Sequence, residues 1–237
     1  MKNQIIILRL FMIHTKTLIR YITDENHFDK LIQRLKDENQ NLAGQWIVID
    51  KNEAQSGTYK NINLYREEKK VVISMSGSPA CIAAYAGNIR LLDYLMENGL
   101  LDDLPSLDPQ EEVGSIFCPE ICCTMVTETE NTYSEYCEWF NGLSPISFTL
   151  PEGKLDCFKL LMNAGQKCDF RNRANFRLLS LCRNRNFWEY LIDTGLLDRT
   201  LLLLAADYAF RYRNTETTDW LINHYNLFQG FTKRSMD

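Results

Sequence analysis

This chain of 237 residues contains no apolar run long enough to cross a bilayer as a helix. The longest, QIIILRLFMI, is about ten residues and carries Arg9. Lys2 stands before it as in a leader, but no small-residue cleavage site follows, so the run reads as a buried helix or strand. None of the eight cysteines forms a CxxC pair. Cys118, Cys122, Cys123 and Cys137 match no zinc spacing, and the three histidines (His14, His27, His224) lie elsewhere. The expectation is free thiols, buried as small hydrophobes in a reducing cytoplasm, with no metal and no cofactor. Catalytic signatures are missing too: there is no GxxxxGK[ST], GxGxxG, HExxH or GxSxG. Asp102–Asp103 and Glu111–Glu112 are adjacent pairs, which face different ways on one element and serve acid–base chemistry poorly. The last absence is local. Residues 91–153 have no Lys or Arg and 13 acidic residues, whereas each flanking part has 13 basic and 9 acidic. The net charge of −5 argues against nucleic acid as the partner.

What is present is periodic. The eight residues before Gly99 read LLDYLMEN. Before Gly165 stands CFKLLMNA, before Gly195 FWEYLIDT, and before Tyr225 TTDWLINH. Each octet has a charged residue third and three apolar residues after it. Such a pattern gives an amphipathic helix, and the glycine supplies a left-handed stop. A preceding helix belongs to each unit. Ser78 and Pro79 suit an N-cap and first turn, and Ser144 and Pro145 recur at the matching place. NFRLLSLCRN and TLLLLAADYAF fill this part later on. A period near 33 residues with paired helices marks a repeat array.

The stretch SPACIAAYAGNIRLLDYLMENG resembles the ankyrin repeat pattern TPLHxAAxxGxxxxVxxLLxxGA. Ser78, Pro79, Ala83, Ala84, Gly87 and Gly99 carry the resemblance, while Ala80 and Cys81 replace the usual Leu and His. The resemblance covers residues 77–237 and implies a mainly α, ankyrin-like helical-hairpin solenoid of four to five units. It also implies a concave surface lined by first helices, on which Tyr85 would be exposed as an anchor. Trp139, Phe140, Phe187, Trp188 and Trp220 fall in the second-helix pattern and read as core. The 66 residues between the first two octets predict an irregular second unit with an acidic insertion, its displaced second helix in TYSEYCEWFNGL.

Residues 1–76 do not repeat. HFDKLIQRLKDE reads as an amphipathic helix, and QWIVID, NINLY and KKVVISM as strands. Together they form a small α+β N-terminal cap on the first repeat, with no Pro/Ser-rich linker to mark a boundary.

Function follows from the absence of chemistry and the presence of surface. Repeat stacks offer extended surfaces and no deep cleft, so the chain reads as a protein–protein interaction module, not an enzyme, without membrane insertion. The candidate contacts are Tyr85, the acidic Asp102, Asp103 and Asp108, and the basic Arg171, Arg173 and Arg177, since single-sign fields steer partners. Few, degenerate units rich in Ile and Asn resemble effectors that intracellular bacteria or large viruses place in host cells, which makes a host protein the expected partner. Two alternatives stand beside this: an immunity or antitoxin-like inhibitor using the acidic block, and an enzyme with its site in residues 1–76 or 103–135 and the repeats as docking arms.

Overall fold

The computed structural model describes residues 15–37, 42, 47–49, 65–66, 71–101, 124–129, 136–140, 143–212, 214–225 and 227. The apolar run at residues 4–13 and the block 102–123 lie outside them. Among the described residues the chain is mainly helical. Ten α-helices come as five consecutive pairs: α1 (Thr15–Thr23) with α2 (Phe28–Asp37), α3 (Pro79–Ala86) with α4 (Ile89–Glu97), α5 (Pro145–Phe148) with α6 (Leu155–Asn163), α7 (Arg173–Leu179) with α8 (Arg185–Asp193), and α9 (Arg199–Arg211) with α10 (Thr215–His224).

Local chemistry sets the helix ends. The Ser78 hydroxyl accepts the Cys81 amide at the start of α3, and Pro79 follows where its missing N–H costs nothing. α3 ends at Gly87, whose φ of 85° is open to glycine at little cost. α5 is only four residues long: Pro151 disfavours a helical conformation at Leu150, and the Thr149 hydroxyl turns back to the Ile146 carbonyl at 2.6 Å.

The pairs pack in order. α3 lies between α1 and α5, α4 meets α6, and α7 meets α9. Phe158 of α6 meets Phe187 of α8 edge-on, with ring centroids 5.2 Å apart. The core runs through all five pairs and holds Trp188, Tyr85, Phe148, Phe158 and Phe187 fully buried. Burying a large apolar side chain is worth about 1.5–3 kcal/mol. The indole N–H of Trp188 still finds a partner, the Cys182 carbonyl at 3.2 Å.

Amides join one pair to the next. The cap before each second helix is Asp24 (through a 3₁₀ turn), Asn88, Lys154, Asn184 or Asn214. Asn88 Nδ2 donates to the Ile22 carbonyl at 2.8 Å, and Asn214 Nδ2 to the carbonyls of Ser180 and Cys182 at 3.2 and 2.9 Å. These carbonyls belong to the preceding pair, and the Cys182 carbonyl also accepts from Trp188 and Thr217. Lys154 breaks the series by laying its side chain over Gly87 instead.

Five antiparallel strands complete the described fold: β1 (Ile47–Ile49), β2 (Tyr65–Arg66), β3 (Val71–Gly77), β4 (Thr124–Thr129) and β5 (Tyr136–Phe140). Their order is β1-β3-β4-β5, with β2 also on β3. This corrects one expectation. Within TYSEYCEWFNGL, Tyr136–Phe140 is a strand and not the displaced second helix, with Trp139 in register opposite Val126 and Phe140 opposite Met125. Tyr136, Trp139 and Phe140, like the β-branched residues of TMVTET, are types with strand propensity. The chain therefore leaves the helical pairs after α4, adds two strands beside β3 and returns at α5. The 66-residue spacing is this excursion, and α3 and α5 are direct neighbours across it. At the N-terminus α1 pairs with α2 and packs on α3.

Candidate functional site

The seven candidate residues separate into three groups. Tyr85 is fully buried, contrary to the expectation of an exposed anchor. The reason is its neighbours: α3 is flanked on both sides by α1 and α5 and backed by α4, and every residue from Pro79 to Tyr85 is buried. Asp102, Asp103 and Asp108 lie outside the described residues. Arg171 lies just before α7, Arg173 opens it and Arg177 stands in its middle, the first two exposed and the third half-buried.

α7 begins where Asn172 caps it, its side chain accepting the Ala174 amide at 2.9 Å. Arg173 and Arg177 are then one turn apart on one face. That face points at α9 of the next pair. Arg177 Nη2 donates to the Tyr208 hydroxyl at 3.3 Å, and its guanidinium carbon lies 5.0 Å from the ring centroid. Arg211 covers the same ring at 5.4 Å and pairs with Asp207 at 2.9 Å. Phe176 holds the ring from another side, edge-on at 5.4 Å. The hydrogen bond from Arg177, aided by Arg173, keeps the Tyr208 phenol below its ordinary pKa, outweighing the opposing effect of burial.

Two large apolar side chains on α9 are exposed, Leu204 at 46 % and Phe210 at 65 %. Leu204 is one turn before Tyr208 and shares its face. Phe210 lies roughly 160° round the helix from Tyr208, so it faces away from the arginines. The basic run itself is divided: Arg185, at the head of α8, turns to Glu216 of α10 at 3.1 Å. Beside that pair is a shallow depression lined by Glu216, Asp219, Trp220, Asn223 and His224, where the His224 ring stacks on Trp220 at 5.5 Å.

Tyr208 and Arg211 escaped the sequence reading, although the signal existed. Tyr208 is 31 residues after Arg177, one repeat period on, so stacking brings the two together. Among the described residues no group of three His, Cys, Asp or Glu could hold a metal ion, and no helix is long and apolar enough to cross a membrane. Cys81, Cys157, Cys168 and Cys182 are buried thiols outside any disulfide. Burial pushes the thiols of Cys157 and Cys168 up to about 12, which removes thiolate character. Cys118, Cys122 and Cys123, and most of the two segments considered for an active site, lie outside the described residues. Comparison with protein-family models, with curated proteins and with solved structures returns no match for this chain.

Proposed function

We propose that the chain is a protein-recognition module: an ankyrin-like solenoid of helical hairpins, with an α+β N-terminal cap, that holds a partner protein on the first-helix face of its last two hairpins. The observation that carries this reading is the cluster of Arg173, Arg177, Tyr208 and Arg211 beside exposed Leu204. Arginine and tyrosine supply much of the energy at protein interfaces, particularly next to apolar contact area. The four described cysteines, buried and outside any disulfide, support residence in a reducing cytosol. The degenerate units fit an effector at work inside a host cell, whose partner is then a host protein.

The experiment is affinity capture from cytosolic lysate with the wild-type chain and with R171E/R173E/R177E, both checked for helix content by circular dichroism. A protein held by the wild type and lost by the folded variant is the expected result. Identical captured sets from the two would remove the arginine face from the site.

A further inference from the structure

The face made by α7 and α9 carries more positive charge than its own acids balance. Asp207 is committed to Arg211 at 2.9 Å. Asp169, just before α7, accepts the Arg171 backbone N–H at 2.8 Å. Among the described residues no carboxylate forms an ion pair with Arg171 or Arg173. The Tyr208 hydroxyl accepts from Arg177 at 3.3 Å. The exposed Arg171 and Arg173 therefore add positive charge that the described carboxylates of this face do not pair.

The guanidinium of Arg177 is also placed in advance. It rests on the Tyr208 ring, which Phe176 in turn holds edge-on. A side chain already fixed in its bound geometry loses little freedom when a ligand arrives. Leu204 lies one helical turn before Tyr208, so an apolar contact stands about 6 Å from the charged one.

We infer that this face recognises an acidic segment of the partner in which a carboxylate residue stands close to an aromatic or aliphatic one. The carboxylate accepts from Arg173 and Arg177, and its apolar neighbour lies on Leu204 and the edge of Tyr208. Charge complementarity selects the acid; the apolar contact separates such a segment from a plain polyanion. The inference rests on the protein-recognition reading and adds the chemistry of the partner.

The test titrates the full chain against four labelled polymers: a random Glu–Tyr copolymer, poly-Glu, poly-Lys and a single-stranded oligonucleotide of mixed sequence. The expected result is binding to the copolymer about tenfold tighter than to poly-Glu, weakening with salt, and none to poly-Lys. R173Q, at an exposed position that leaves the fold alone, and R173Q/R177Q each weaken copolymer binding, the pair by about tenfold or more. Leu204→Asn leaves poly-Glu binding unchanged and erases the preference for the copolymer. Equal affinity for poly-Glu and copolymer overturns the inference, as does an oligonucleotide bound as tightly as the copolymer, or wild-type binding by folded R173Q/R177Q. A chain that captures a lysate protein through its arginines yet ignores the copolymer keeps the recognition reading and ends this one; a chain that does neither ends both.

Discussion

The side-chain amide of Asn184 donates to the carbonyl of Gly153 at 2.8 Å, and Gly153 sits so close beneath it that a Cβ there would stand 2.7 Å from Asn184 Cβ and 2.6 Å from Cys182 Sγ. This is the tight junction between the third and fourth helical pairs. Gly153 also has φ of 61°, where a side chain is strained. Gly165 shares the left-handed conformation, with φ of 90°, but a Cβ there would meet nothing within 4 Å. Gly165→Ala is expected to cost about 1–2 kcal/mol from backbone strain alone. Gly153→Ala adds overpacking of about 1–3 kcal/mol. Urea unfolding of both variants checks the difference, and equal costs would contradict the close packing at Gly153.

The amide series predicts unequal losses along the chain. Asn214 is buried and serves two carbonyls of the preceding pair, so Asn214→Ala is expected to destabilise by about 1–3 kcal/mol. Lys154 occupies the matching place in the third pair and makes no side-chain capping bond. Lys154→Ala is expected to change stability by less than about 1 kcal/mol. Thermal melts of the two variants decide, and a larger loss for Lys154→Ala would count against the register of caps.

Tyr85 belongs to the interior. Tyr85→Ala is expected to lower stability by about 3–5 kcal/mol, in the range of large aromatic truncations. Partner binding measured per folded molecule stays unchanged. A stable Tyr85→Ala protein with lost binding would return the residue to the surface.

Tyr208 gives a pH signature with a definite sign. Its phenol ionises more readily in the folded chain than at the ordinary value of 10.0, because Arg177 and Arg173 favour the phenolate. A depressed folded pKa contributes stability that is complete above pH 10.0 and is lost as pH falls through the lowered folded value. The stability difference between wild type and Tyr208→Phe is therefore expected to widen as pH rises through that window. Phenolate absorbance should show an early titrating component in the wild type that Tyr208→Phe lacks. Superimposable titration curves would rule out the Arg177–Tyr208 contact in solution.

The thiols behave as core. Cys157 and Cys168, both raised to about 12, are expected to resist a disulfide reagent at neutral pH and to react on addition of denaturant. Mass spectrometry of the labelled chain identifies which cysteines reacted. Rapid native labelling of either would show that its helix opens readily.

Much of the helical order was legible because its causes are local. The octets before Gly99, Gly165, Gly195 and Tyr225 fall within α4, α6, α8 and α10 or their C-caps, and Gly99, Gly165 and Gly195 have positive φ. Hydrogen bonds between residues four apart, an apolar face every 3.6 residues and a glycine stop are all written within a dozen positions. KKVVISM was likewise legible as a strand, and it becomes β3. The arginines of α7 could be marked as charged surface, but not their partner, since Tyr208 comes from a different helical pair. What only the tertiary structure decided depends on contacts far apart in sequence: that β4 pairs with β3 and β5 with β4 rather than continuing the helices, that α1 and α5 flank α3, and that Tyr85 is thereby shut in. A helix carries its hydrogen bonds within itself, whereas a strand's partner, and the face of a helix that loses water, are set by whatever distant segment comes to lie beside them.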